Sequence, residues 1–336
     1  MSKDYATSIK GIAILMMLYL HLFNDPTVTS HLFSLFTVCG YSLSYILTRA
    51  AGPVEFFLIL GGYGLYATYK NGHDAHRFTR IVRCYEVYWL CLLIFVPLAC
   101  VFTNDNDYPG TFEHALLSVS GVETRWYWEA WFLLPYLILS ALYPLLMDAL
   151  DRIGTKRVLC FSFLIYFFTV IVKQRDWINI GQDSPFILLA VNSLQFLFPF
   201  YIGASFNKEQ LMRRLSGSKL YGKQKCVLFL LAVVVILRTL TQTYYFIAPL
   251  YATIMISLLY LLKMKGQVYK LFKFFGRYSL YIWMVHTWLS KYLFSDFIYS
   301  FHFPIVIFLV LLLLSFIIGK LVELAIKNIH STLGIG

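Results

Sequence analysis

The chain has 336 residues, of which 59% are hydrophobic and 13% charged, with a mean hydropathy of +0.68 and a net charge of +11. Soluble domains carry about 25% charged residues, so this composition excludes an ordinary soluble fold. Its apolar runs are continuous rather than alternating, which argues against a β-barrel. The expected fold class is therefore all-α, a polytopic transmembrane helical bundle.

The predicted spans, in chain order, cover about 9–23, 54–69, 84–103, 128–147, 158–172, 185–206, 226–241, 244–262, 278–295 and 304–326, ten in all. The first is read as a retained span, because "FNDPTVTS" after it offers no small-residue cleavage site. All Lys and Arg except Arg49, Arg125, Lys173, Arg175, Arg238 and Lys291 then fall at the two chain ends or in alternate loops. By the positive-inside rule those loops and both termini are cytoplasmic, in a multi-pass protein of the cell (inner) membrane. The basic charge is thus a topology signal with membrane lipid as its partner, and no nucleic-acid partner is expected. The segment 31–49 is apolar enough to span, but spanning would turn every later basic loop outward. It is read instead as one re-entrant or interfacial helix on the outer side.

Within the first span, Lys10 and His21 are separated by ten uncharged residues. Eleven positions on a helix make three turns plus about 20°, so both lie on one face about 16 Å apart. An imidazole in an apolar span is a functional candidate, because desolvating a polar group costs several kcal/mol unless it meets a cavity or partner. With an ordinary pKa of about 6.5, His21 suits a general base; the plainer reading is an interfacial histidine satisfied by water. His286 stands mid-span in the ninth helix. Glu129 stands near the outer end of the fourth, at the depth of His21, where a carboxylate can orient an imidazole; the plainer reading is an interface carboxylate solvated by water. Trp126, Trp128 and Trp131 suit an outer aromatic belt or the stacking of an acceptor sugar. The six cysteines are scattered, and "HDAH" (73–76) lacks further ligands nearby, so no metal is expected. There is no internal repeat, and the chain reads as a single transmembrane domain over 1–336 with no extra soluble domain.

The run "IKGIAILMMLYLHLF" resembles the first helix of the acyltransferase-3 family, integral membrane O-acyltransferases of bacterial surface polysaccharides, with Lys10 where that family usually has Arg. "EFFLILGGYGLY" (55–66) is similar to its F-F-x-x-S-G-[FY] run, with Gly61 at the serine. "RFTRIVRCYEVYWL" (77–90) resembles its arginine-rich turn through Arg80 and Arg83, with Thr79 and Glu86 departing. "WFLLPYLILSALYPLL", "FPFYIGASF" and "SLYIWMVHTWL" resemble its later helices, the last placing His286 at the family histidine. The resemblance implies acyl-CoA, with acetyl-CoA expected, as co-substrate and no bound cofactor. It implies a surface or lipid-linked polysaccharide as acceptor. His21, Glu129 and His286 would be the catalytic set, Lys10, Arg80 and Arg83 the donor-phosphate set, and Trp128 and Trp131 the acceptor lining. The rival reading is a transporter or exporter of a glycan or small solute. The oligomeric state is left open.

Overall fold

The computed structural model describes residues 1–72, 77–103, 105, 107–175, 177, 184–241 and 245–334. The "HDAH" segment lies outside them. Helix accounts for 81% of the chain. Among the described residues the longer helices are α1 (Lys3–Phe23), α2 (Val54–Lys70), α3 (Arg77–Phe102), α4 (Leu133–Ile153), α5 (Thr155–Gln174), α6 (Pro185–Lys208), α7 (Gln224–Leu240), α8 (Ala248–Leu261), α9 (Gly266–Thr287) and α10 (Pro304–Leu333), each overlapping one predicted span, α9 only in part. Continuous Leu, Ile, Val and Phe make helix the natural state here, since an apolar solvent forces each backbone N–H to pair within its own segment.

Among the described residues six segments are long and apolar enough to cross a bilayer: α1, α3, α4 with the short turn before it, α5, α6 and α10. The expected count of about ten is not reached on this criterion. Helices α2 and α7 have 17 residues each and α8 has 14. At 1.5 Å per residue they measure about 26 Å and 21 Å, short of a hydrocarbon core of about 30 Å. Helix α9 has 22 residues, but Lys270 and Lys273 lie in its N-terminal half and Arg277 at its middle.

The described chain packs as two compact units. The first comprises Met1–Ala13, Gly52–Phe78 and Phe132–Gly276; the second comprises Ile14–Ala51, Thr79–Trp131 and Arg277–Gly336. In the first unit two helix pairs approach backbone to backbone at glycines. A Cβ on Gly11 would sit 1.9 Å from the Phe272 carbonyl oxygen, and one on Gly276 would sit 1.8 Å from that of Thr7, so α1 and α9 cross there reciprocally. Likewise α2 and α6 cross with Gly62 against Phe200 and Gly203 against Ile59, at 2.0 and 1.8 Å. Small residues permit this in a membrane, where close van der Waals packing replaces the hydrophobic effect between helices.

In the second unit the segment 31–49 does not form one helix. A two-stranded hairpin pairs Thr37–Val38 with Tyr41–Ser42, and only Leu43–Thr48 is helical, capped by the Ser42 hydroxyl. The reason is local: Cys39 and Gly40 have φ of 51° and 81°, which ends any helix and makes the tight turn. The core of this unit is aromatic. The Trp288 indole lies between Phe95 and Tyr127, at 5.2 and 5.3 Å and within 9° of parallel to each.

Candidate active site

Two histidines far apart in sequence meet inside the second unit. His286 is fully buried on the last turn of α9, and its Nδ1 lies 2.8 Å from the Trp283 carbonyl oxygen and 3.1 Å from that of Ile282. Carbonyl oxygens only accept, so this Nδ1 carries a proton. In the neutral ring Nε2 is then an acceptor, and His21 Nδ1 stands 3.0 Å away as its donor. The chain of hydrogen bonds therefore leaves the His21 lone pair on Nε2. A second-partner contact that fixes a histidine tautomer is how a base is aimed.

Glu129 completes the group. It sits in the one-turn helix Trp128–Phe132 and is 3% exposed. One oxygen accepts from Lys291 Nζ at 2.9 Å and the other from the Tyr292 hydroxyl at 2.9 Å. His21 Nδ1 lies 4.0 Å from the Glu129 carboxylate, too far for a hydrogen bond. The residue hydrogen-bonded to His21 is thus His286, while the Glu129 oxygen nearest His21 is paired with Lys291. The Trp128 backbone N–H donates to the Tyr292 hydroxyl at 3.1 Å, which ties the turn to the same network.

The local backbone explains how one stretch of sequence supplies so many of these groups. After Thr287 the chain widens into a π-helical turn, Trp288–Leu293. Such turns are uncommon and favour functional sites, because they re-aim side chains within an otherwise regular helix. Here the turn seats Trp288 in the aromatic core and brings Lys291 and Tyr292 to Glu129. Tyr127 donates to the Trp283 carbonyl at 2.5 Å, the same carbonyl that holds His286.

His21 opens on a cleft of about 720 Å³. Its polar lining includes Asn24, Asp25, Ser290, Lys291 and Asp296. Asp25 accepts from the Thr27 hydroxyl and backbone N–H at 2.6 and 2.8 Å, and those bonds hold its carboxyl below the ordinary value. Neither Trp128 nor Trp131 is among the residues lining this cleft. Trp128 is 44% exposed, and Trp126 is buried with its indole N–H bonded to the Asp107 and Pro109 carbonyls.

The expected donor set is divided. Lys10 falls in the first unit, half-buried; Arg80 and Arg83 fall in the second, both exposed near the start of α3. Arg83 hydrogen-bonds to Tyr281 and feels the charge of Glu323. Sequence reasoning missed Lys291 and Tyr292. For Lys291 there was a signal, since it is one of the six basic residues that break the charge distribution; Tyr292 offered none. Among the described residues no group of three or more His, Cys, Asp or Glu is placed to hold a metal.

Comparison with known proteins adds one finding. The acyltransferase domain that defines the acyltransferase-3 family matches residues 4–322, nearly the whole chain. No curated protein and no solved structure matches.

Proposed function

The chain belongs to the acyltransferase-3 family, a family of membrane acyltransferases, and from that premise we propose that it is an acyl-CoA-dependent O-acyltransferase. It moves an acyl group, with acetyl expected, from a cytosolic thioester to a hydroxyl of a cell-surface or lipid-linked polysaccharide. The observation that carries this reading is the His21 imidazole, which lines a cleft together with Asn24, Asp25, Lys291 and Asp296 and is oriented by His286 with Nε2 as its basic atom.

In this reading the acceptor hydroxyl donates to His21 Nε2. As its oxygen bonds to the thioester carbonyl carbon, the proton moves to Nε2. The tetrahedral intermediate then collapses, the C–S bond breaks, and the thiolate takes the proton from the imidazolium. The products are the sugar ester and free CoA thiol. The transient imidazolium is stabilised by the Glu129 carboxylate 4.0 Å away and shares its Nδ1 proton with His286. Lys10, Arg80 and Arg83 are the groups proposed to hold the donor phosphates, as guanidinium and ammonium groups suit them.

The test uses the purified chain in nanodiscs with radiolabelled acetyl-CoA and a panel of surface polysaccharides. Thiol release that depends on glycan, with label appearing in base-labile ester, is expected. Intact thioester with every glycan and every acyl chain length tried would overturn the reading in favour of a transporter.

A further inference from the structure

A second recess lies beside the His21 cleft, in the same unit. This groove has a volume of about 450 Å³. Its walls include Tyr19 of α1, Phe33, Leu43 and Leu47 of segment 31–49, and Ile305 and Phe308 in the first turns of α10.

Cleft and groove meet at one strap of chain. His31, Leu32 and His302 line the cleft, and the next residues along the chain, Phe33 and Phe303, line the groove. The Phe33 N–H donates to the His302 carbonyl at 2.9 Å, and the Phe33 and Phe303 ring centroids lie 5.2 Å apart. His302 takes φ of 56°, a turn that leads the chain from the cleft into α10.

The chemistry changes across that strap. Asp25, Lys291 and Asp296 line the cleft, whereas no charged side chain among the described residues lines the groove. The hydroxyls of the groove are used within its own wall. Ser34 donates to the Phe36 carbonyl at 2.8 Å and accepts from the Leu43 N–H at 3.2 Å. The Ser44 hydroxyl pairs with that of Ser42 at 3.1 Å, and the Tyr19 hydroxyl donates to the Ser44 carbonyl at 3.0 Å. A ligand in the groove therefore meets hydrocarbon and ring faces. Phe33, Leu35, Phe303 and Ile305 are 51%, 76%, 51% and 66% exposed. Large apolar side chains left open together mark a membrane-facing surface, so the groove opens to the bilayer.

Three features select one occupant. The walls suit hydrocarbon, the opening lets a chain enter sideways from lipid, and continuity with the cleft puts the head of that chain beside His21. Ligand pockets span about 300–1,000 Å³, and this one is near the lower end, which suits one chain rather than the pair of a diacyl lipid. We infer that the groove holds the isoprenyl chain of a lipid-linked sugar while a hydroxyl of that sugar is presented to His21. The inference rests on the acyl-transfer reading of the cleft and narrows it. The acceptor is the sugar still on its lipid carrier, acylated before the reaction that transfers it from that carrier, and not the finished polymer.

Two measurements on the full chain in phosphatidylcholine nanodiscs test this. The first needs no acyl transfer. Its probe is N-acetylglucosamine joined through a diphosphate to farnesol, with a diazirine at the far end of the farnesyl chain. After illumination, label should map to segment 31–49 and the first turns of α10. Label confined to other helices overturns the proposal. So does its displacement by added phosphatidylglycerol, which would make the groove a seat for ordinary bilayer lipid.

In the second, monosaccharides are offered with acetyl-CoA, each free and as its farnesyl diphosphate. The tailed form of an accepted sugar should show a KM at least about tenfold lower. Leu47→Gln and Ile305→Gln place an amide in the groove and should each shrink that advantage. It is read as a ratio of two KM values on one preparation, so loss of folded protein cancels. Partition of the tail into the disc would also lower KM, but that gain would survive both substitutions. An advantage that persists in both variants, or equal KM values in the wild type, overturns the groove assignment and leaves acyl transfer standing. Intact thioester with every acceptor overturns acyl transfer instead, and with it the acceptor role given to the groove.

Discussion

At the scale of single residues, the assignment of His21 and His286 to different tasks has separable consequences. His21→Gln keeps a hydrogen-bonding side chain but loses the basic nitrogen, so transfer should fall about 10²- to 10⁴-fold while donor affinity persists. Activity near wild type in that variant, with both substrates saturating, would move the base elsewhere. His286 touches His21 rather than the cleft, so His286→Ala should lower kcat with little change in KM and alter the pH–rate profile, since the His21 tautomer is no longer fixed. Lys291→Met leaves the buried Glu129 carboxylate with the Tyr292 hydroxyl but without its ammonium. Thermal unfolding in detergent should show a loss of about 1–3 kcal/mol. Adding Glu129→Gln should restore stability but not rate, because the charge near the imidazolium is then absent; restored rate would mean that the pair is structural only.

At the scale of elements, the motif glycines have a physical explanation that pattern matching lacks. Gly11 follows Lys10 and Gly62 ends the "LILGG" run because a carbonyl of another helix passes about 2 Å from where a Cβ would sit. Gly62→Ala or Gly203→Ala must push α2 and α6 apart. Overpacking of this kind costs about 1–3 kcal/mol, seen as a lower unfolding temperature, and Gly64→Ala, which meets nothing within 4 Å, should be nearly silent. The π-helical turn shows the opposite use of a helix. It breaks regular spacing so that Trp288, Lys291 and Tyr292 each reach a different partner. Replacing the Trp288 indole with Ala removes the plate between Phe95 and Tyr127 and should cost about 3–5 kcal/mol, with the His286 carbonyl anchor loosened as well.

For the whole molecule, the expected orientation is settled by labelling rather than by packing. Single cysteines at Asn71 and at Glu113, both exposed, are introduced into a cysteine-free background, and intact cells are treated with an impermeant maleimide. With the basic loops cytoplasmic, Glu113→Cys should label and Asn71→Cys should not. The reverse pattern would invert the topology. Labelling at both would require a different number of crossings, in line with the three helices that are short for a bilayer.

Composition and apolar run length alone determined that this chain is a bundle of membrane helices, since a backbone surrounded by hydrocarbon has few other ways to satisfy its hydrogen bonds. They also located His21, Glu129 and His286, because an ionisable group stands out against apolar neighbours. What no local pattern could determine is which of these groups touch. The pairing of His21 with His286 spans 265 positions, and it makes His286, rather than Glu129, the residue hydrogen-bonded to His21. Lys291 was visible as a misplaced charge, but its partner was not, because a salt bridge depends on where two helix ends meet. The break at Cys39–Gly40 and the π-helical turn were equally hidden. The first is a local turn at positive φ inside a run whose apolar content reads as helix, and the second is a widened turn that tertiary packing selects.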